Sequence, residues 1–154
     1  MTVGPGDPAP SCPLPVDGGG NLALSDLKGR VVVLYFYPKD NTPGCTREAI
    51  DFRDRKAAFD AVGAVVVGVS RDSIKSHKGF KKKQELNFVL LADEEASLCQ
   101  AYEVWKEKKQ YGRSFMGIER STFLIDRQGV IRREWRKVKV EGHADEVLKA
   151  AREL

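Results

Sequence analysis

The sequence predicts an α/β fold: a central mixed β-sheet flanked by helices, with an N-terminal β-hairpin extension. Three observations lead there. Residues 31–37 (VVVLYFY) and 64–70 (AVVVGVS) are unbroken apolar runs rich in β-branched side chains, the pattern of strands buried on both faces. Each run is followed by a stretch with helical spacing of apolar residues, so strands and helices alternate as in βαβ units. Near the end, two further strand-like runs flank Arg127-Gln128-Gly129, a hairpin turn that adds antiparallel pairing to the sheet.

The elements follow in order. Residues 1–29 are rich in Pro and Gly, and Gly18-Gly19-Gly20-Asn21 reads as a turn between two short edge strands. Residues 24–29 (LSDLKG) read as a short helical turn stopped by glycine. After the strand at 31–37, residues 46–61 form a helix with Ile50, Phe52, Phe59 and Val62 toward the core and Gly63 closing it. The strand at 64–70 follows. Asp72 or Ser73 then caps a helix to about Glu85, with Ile74, His77 and Phe80 or Lys81 along one side. Residues 88–92 are a strand, and Asp93 caps a helix over 94–102. Residues 106–117 are polar and contain glycine, and read as a loop. Strands at 121–126 and 130–135 and a helix over 144–153 complete the chain. A right-handed crossover makes the first two buried strands a parallel pair. The whole order is the one a thioredoxin-like fold needs. No repeat, low-complexity segment or linker interrupts it, so residues 1–154 are expected to be one domain.

Composition narrows the function classes. The chain has 154 residues, 42% hydrophobic and 31% charged, the profile of a globular protein with a real core. No apolar run reaches the ~18 residues of a membrane span, and the opening MTVGPGD lacks the basic and apolar regions of a secretory signal. Three cysteines are too few, and odd in number, for a disulfide framework. A cytoplasmic, monomeric protein without membrane attachment is the expectation. The net charge is +4, from 26 basic and 22 acidic residues. Lys81-Lys82-Lys83 and Arg132-Arg133 with Arg136, Lys137 and Lys139 form basic clusters. With no recognised nucleic-acid module they read as solvated faces, and nucleic-acid binding is not expected. The charge excess can still attract small anions or an acidic protein partner.

The chemistry concentrates in the loop after the first buried strand: Tyr37-Pro38-Lys39-Asp40-Asn41-Thr42-Pro43-Gly44-Cys45-Thr46-Arg47-Glu48. A cysteine near a strand is ordinarily a small buried hydrophobe. Here Pro43 and Gly44 put Cys45 at a turn that opens a helix, and Thr42, Thr46 and Glu48 make its surroundings polar. The first turn of a helix offers unpaired N–H groups and the positive end of the dipole, both of which favour a thiolate. A free thiol ionises near about 8.5, so such help is needed at neutral pH. The Thr42 hydroxyl, three residues earlier, can hold a substrate oxygen or bond its own turn.

The pattern Pro38-x-x-x-Thr42-x-x-Cys45 resembles the active-site motif of the peroxiredoxins, and Thr42-Pro43-Gly44-Cys45-Thr46 with Glu48 is similar to the bacterioferritin-comigratory, or PrxQ, branch. The resemblance runs through nearly the whole chain. Gly6-Asp7-Pro8-Ala9-Pro10 is similar to the family's opening. Gly68-Val69-Ser70 with Asp72-Ser73, Ser76-His77 and Phe80 is similar to its second strand and helix. Gly117-Ile118-Glu119-Arg120-Ser121-Thr122-Phe123-Leu124-Ile125-Asp126 is similar to the segment carrying its active-site arginine. The resemblance implies a thiol peroxidase that reduces hydrogen peroxide and organic hydroperoxides, with Cys45, Thr42, Arg120, Glu48 and Pro38 as its site. Arg120, permanently charged, would favour the thiolate and stabilise charge developing on the peroxide oxygens. Glu48 would hold Arg120 or simply favour the helix start. The first product would be a Cys45 sulfenic acid.

One departure bears on recycling. Many PrxQ proteins carry a second cysteine five residues after the first, where this chain has Ile50, and others carry it in the following helix, where this chain has none. Cys12 and Cys99 remain, the latter at an apolar helical position. The expectation is a one-cysteine cycle in which a small thiol or a thioredoxin-like protein reduces Cys45; a Cys45–Cys99 bridge would need local unfolding. Two other classes stay open: a peroxide sensor without bulk turnover, and a disulfide oxidoreductase, which the lack of Cys-x-x-Cys argues against. His77 and His143 have no metal-ligand spacing with the cysteines, and no phosphate loop or dinucleotide fingerprint follows a strand. No metal or cofactor is expected.

Overall fold

In the computed structural model the chain runs β1 (Leu14–Pro15), β2 (Asn21–Leu22), a 3-10 turn (Leu24–Leu27), β3 (Val31–Phe36), α1 (Pro43–Asp54), α2 (Lys56–Ala61), β4 (Ala64–Ser70), α3 (Ile74–Gln84), β5 (Val89–Ala92), α4 (Ser97–Ala101), β6 (Trp105–Gln110), β7 (Arg113–Ile118), β8 (Ser121–Ile125), β9 (Ile131–Arg136) and α5 (His143–Arg152). The structure describes residues 3–154; Met1 and Thr2, part of the opening read for a leader, lie outside the described residues. Five strands form the central sheet in the order β5-β4-β3-β8-β9. β3 pairs parallel with β4, and β4 with β5, while β8 and β9 run antiparallel. β1 and β2 form the expected N-terminal hairpin. No helix among the described residues is long and apolar enough to cross a membrane.

Both faces of the sheet are covered, and that is why residue period disappears from the β3 sequence. All of β3 is buried. Val31, Val33 and Tyr35, with Tyr37 just beyond the strand, point to one face, where they pack with Cys45, Ala49 and Phe52 of α1, Phe59 of α2, Phe80 of α3 and Val147 of α5. Val32, Leu34 and Phe36 point to the other, toward Leu98 and Cys99 of α4, Val104, Ile118 and the N-terminal segment with Leu14 and Leu24. Cys12 packs against that second cluster. Cys45 and Cys99 therefore lie on opposite sides of the sheet.

The structure corrects four expectations. The helix read over 46–61 starts three residues earlier, at Pro43, and is two helices broken at Arg55. Arg55 leaves helical geometry (φ −108°, ψ 9°) and its guanidinium meets Asp145 of α5 at 2.6 Å. Ile50 does not face the core: the buried line of α1 is Cys45, Glu48, Ala49 and Phe52. A buried glutamate shifts the inward face away from the phase that apolar residues alone suggest.

Residues 106–117 are a hairpin, β6–β7, rather than a loop. Its outer positions are exposed on both sides, so no hydrophobic alternation marks it. Its turn is Tyr111-Gly112, both at positive φ (52° and 74°), as a two-residue hairpin loop requires. Finally, α4 begins at Ser97, not 94. Asp93 caps it from a distance: its carboxylate accepts from the backbone N–H of Leu98 (3.2 Å) and Cys99 (2.8 Å). Ala96, at φ 61°, turns the chain between them.

Asp93 is buried, so its removal leaves two N–H groups without partners or water. We expect Asp93→Ala to destabilise the fold by about 1–3 kcal/mol and Asp93→Asn by less. Urea denaturation of the purified variants measures both, and equal midpoints to wild type would show that the cap contributes nothing.

Candidate active site

Tyr37 leaves the sheet with its N–H still bonded to the Val69 carbonyl (3.0 Å). Pro38 follows, half-buried, and begins the loop. Asn41 takes a left-handed conformation (φ 63°) and Thr42 an extended one as the N-cap of α1, with Pro43 in the first turn. Proline fits that position because its missing N–H would have had no intrahelical partner. The helical ladder begins on the loop side with Thr46 N–H donating to the Thr42 carbonyl at 2.8 Å. Cys45 thus stands inside the first turn, where backbone N–H groups are unpaired and the dipole is positive. Its residue is 1% exposed.

Arg120 reaches this turn from the residue before β8. One guanidinium nitrogen donates to Cys45 Sγ at 3.3 Å and the other to Glu48 Oε1 at 2.6 Å. The approach depends on Gly44, where a Cβ would lie 3.2 Å from the Arg120 Nη2. Glu48 is buried, and burial pushes its carboxyl up to about 7 against the downward pull of Arg120. Of the five residues expected at the site, the structure brings Cys45, Arg120 and Glu48 into direct contact. The Thr42 hydroxyl donates to the Lys39 carbonyl at 2.8 Å, the turn bond that was the alternative for this residue, and its oxygen lone pairs remain available. Pro38 contributes no polar atom and shapes the strand exit.

Two features escaped sequence reasoning. The first is Lys108 on β6, whose ammonium donates to the Ile118 carbonyl at 2.6 Å. Burial, then the Arg120 charge, lower its pKa, and the Cys45 sulfur acts on it in the opposite direction. It is a second cation that acts electrostatically on the thiol. The second is a buried network that ties the cysteine loop to α3. Asp40 accepts from Tyr37 Oη (2.6 Å), Ser76 Oγ (2.9 Å) and His77 Nδ1 (2.7 Å). The Asp40 backbone N–H donates to Asp72 (2.8 Å), which also accepts from Ser70 (2.6 Å).

Asp40, Asp72 and His77 offer atoms within 4.8 Å of one another, as metal ligands would. Those atoms already hydrogen-bond within the protein. The His77 Nε2 faces the Leu91 carbonyl at 2.9 Å and its Nδ1 faces the Asp40 carboxylate. Both partners are acceptors, so both nitrogens carry protons and His77 is an imidazolium in an ion pair. Burial opposes that charge, but the hydrogen bond and charge of Asp40 and the Leu91 carbonyl outweigh it and raise the His77 pKa above its ordinary value. His143 differs: burial drives it down to about 4, leaving a neutral ring against Thr122 Oγ1 at 2.8 Å.

A raised histidine pKa gives stability that is complete below the unfolded value of about 6.5 and is lost as pH rises through the folded value. We expect His77→Gln to destabilise most at pH 6 and the gap to wild type to narrow as pH rises above neutrality. Denaturation midpoints across that range check this; a gap that widens with pH would show a neutral His77.

Comparison with known proteins assigns the family. Residues 5–134 match the model of the AhpC/TSA family. The chain is 52% identical over 154 residues to peroxiredoxin Bcp of Bacillus subtilis, covering all of this chain and 98% of that protein. It is 51% identical over 138 residues to peroxiredoxin Bcp of Xanthomonas campestris, covering 90% and 86%. Among solved structures, a Xylella fastidiosa PrxQ mutant superposes with a TM-score of 0.92 at 45% identity, covering 97% of this chain and 96% of that one. A Xanthomonas campestris bacterioferritin comigratory protein, described for its alkyl peroxide reduction activity in trapped intermediate and ligand complexes, gives 0.89 at 49%, covering 92% and 90%. The chain belongs to the AhpC/TSA family, within its Bcp/PrxQ peroxiredoxins, which are thiol-dependent peroxidases.

Proposed function

We propose that this peroxiredoxin reduces hydrogen peroxide and organic hydroperoxides through Cys45 and is regenerated by an external thiol. The single observation that carries the reading is the contact of the Arg120 guanidinium with Cys45 Sγ at 3.3 Å, within the first turn of α1. The Cys45 thiolate attacks one peroxide oxygen. The O–O bond breaks, a sulfur–oxygen bond forms, and the second oxygen leaves with the electron pair and takes a proton to become water or an alcohol. Arg120 stabilises the charge on both sulfur and departing oxygen. Glu48 fixes the Arg120 fork by its second nitrogen. Thr42, whose proton is directed to Lys39, can accept from the peroxide O–H.

The sulfenic acid then needs a thiol. Attack on its sulfur expels the oxygen as water and leaves a mixed disulfide, and a second thiol releases Cys45. Cys99 is a poor candidate: burial, then Asp93, hold its thiol far above the ordinary range, and it lies across the sheet from Cys45. Cys12 is on that same side, its thiol raised by burial and then Asp93. A small thiol or a thioredoxin-like protein supplies the reductant, consistent with a reducing compartment such as the cytoplasm.

The test is continuous peroxide consumption with dithiothreitol. Cys45→Ser should abolish turnover and Cys12→Ser should leave it within about twofold, because only Cys45 has the activating setting. Appreciable turnover by Cys45→Ser would sink the assignment. Stoichiometric oxidation of wild type without turnover would favour a peroxide sensor.

Arg120→Ala should slow oxidation of Cys45 by about 100-fold or more and slow its alkylation at pH 7, with Arg120→Lys only partly restoring it, since one ammonium does not replace a two-armed fork. Stopped-flow oxidation of reduced protein reads this directly. Without added thiol, intact mass after one equivalent of peroxide should show one added oxygen on Cys45. A dominant internal disulfide would refute the one-cysteine cycle and leave the peroxidase standing.

A further inference from the structure

Apart from Lys108, the β6–β7 hairpin takes no part in the peroxidase reading. In an antiparallel ladder, directly opposed residues share a face, so its register sorts its side chains into two sets. Glu107, Lys109, Met116 and Ser114 share a face with Trp105 and Ile118. That face is anchored to the body of the protein: Ile118 is buried in the second core cluster, with Trp105 packed against it and the Arg71 guanidinium over the Trp105 ring at 4.6 Å. The other face carries Lys106, Lys108, Gln110, Arg113, Phe115 and Gly117. It has three cations, an aromatic ring 45% exposed, and no acid.

This basic face meets the site at its base. The Lys108 stem lies across Gly117, where a Cβ would come within 3.1 Å of it, and its ammonium ends on the Ile118 carbonyl, two residues before Arg120. From there the ribbon extends outward by about 20 Å, at roughly 3.3 Å per residue, to a tip where Tyr111 is 94% exposed. Lys106, at the base, borders a cavity shared with Glu103 and Glu134. Arg113, farther out, forms no ion pair among the described residues. An open ribbon of this length suits a macromolecule better than a small anion, since small ligands are held in concavities. An exposed aromatic among cations, next to a charge-complementary partner, is the composition of a docking surface.

We propose that the Lys108–Arg113–Phe115 face of the β6–β7 hairpin docks the acidic surface of the dithiol protein that regenerates Cys45. The inference rests on the peroxidase reading above and adds the surface and the charge of the reductant. A protein thiol must come to the buried Cys45 from the solvent side of Arg120, and this face borders that approach. The Arg113 charge recruits the partner, Phe115 supplies apolar contact, and Lys108 leads toward the mouth of the site. The affinity is therefore salt-dependent.

The test compares two reductants. Turnover is measured with a thioredoxin of net negative charge at pH 7 and, separately, with dithiothreitol, for wild type, the double variant Arg113→Glu/Phe115→Ser, and Lys109→Glu on the opposite face. We expect the double variant to raise KM for the thioredoxin about tenfold, with kcat within about twofold and dithiothreitol turnover unchanged. Lys109→Glu should leave both near wild type, and added salt should raise the wild-type KM more than that of the double variant. An unchanged thioredoxin KM in the double variant overturns the proposal. So does an equal loss with both reductants, or an equal KM increase from Lys109→Glu, which would indicate general charge attraction.

Sedimentation that reveals a dimer dissolved by the double variant, with KM unchanged, would assign the face to a second copy and overturn the proposal in that way. Selective loss toward a carboxylate-bearing hydroperoxide would assign it to substrate, with the same result. Failure of the peroxidase reading is distinguishable, because peroxide would then not oxidise Cys45 in the wild type at all.

Discussion

The contact between Arg120 and Cys45 is what the rest of the structure serves. Neither residue could make it alone. Cys45 sits in α1 after β3, and Arg120 sits just before β8, so their meeting is set by the β3–β8 register, in which Phe36 opposes Ser121. A slip of one residue would turn Arg120 to the other face of the sheet. The register is in turn fixed by burial on both faces: Phe36 and Phe123 pack edge to face on one side, while Tyr35 stacks on Phe52 of α1 on the other, with ring centroids 4.8 Å apart. The same stacking that builds the core therefore positions the helix that carries the thiol.

A charge placed in such a core must be balanced locally, and the protein does this twice. Beneath the thiol, Glu48 balances Arg120, with the carboxyl shifted upward by burial and held partway by the guanidinium. Its second oxygen and the Tyr35 hydroxyl, both buried, have no partner among the described residues, which marks this pocket as the costlier of the two. At the other end of the cysteine loop, Asp40 and His77 balance each other with nearly all hydrogen-bonding capacity used. The loop between them includes Asn41 at positive φ, a conformation that holds only when its surroundings fix it. Asp40 supplies that fixing by anchoring both its side chain and its backbone N–H. The Asp40–His77 network thus adds a tertiary anchor to a turn already shaped by Thr42, Pro43 and Gly44.

Legibility in the sequence followed the physical signal each element carries. β3, β4 and β5 were readable because burial on both faces demands continuous apolar runs, and the cysteine turn because Pro43 and Gly44 punctuate it. The β6–β7 hairpin was not, because most of its residues face water and no period survives. The break at Arg55 lacks Gly or Pro, and the partner that Arg55 meets there, Asp145, lies ninety residues away. Glu48 was expected near Arg120 through the resemblance, but its burial was not legible, since a buried carboxylate makes sense only with Arg120 in view. Asp40 and His77 each look ordinary in a turn and on a helix. Their link is tertiary, and the only local trace is that Asp40 and His77 flank elements already singled out for other reasons.

The placement of the other two cysteines gives the chain its direction of chemistry. Cys99 has its backbone N–H held by Asp93, and burial, then the same carboxylate, raise both its thiol and that of Cys12. A carboxylate beside a thiol opposes the thiolate, as a guanidinium beside a thiol favours it. The two thiols thus have opposite electrostatic neighbours: the Arg120 guanidinium at Cys45 and the Asp93 carboxylate at Cys99. A bridge between the two would have to pass a sheet whose central strand is fully buried, and would draw on the less reactive thiol. What remains open to oxidised Cys45 is the solvent side, bordered by Arg120 and the base of the β6–β7 ribbon. That arrangement is what the proposed one-cysteine cycle requires: the oxidising equivalent would stay on Cys45 and pass outward to a thiol from solution.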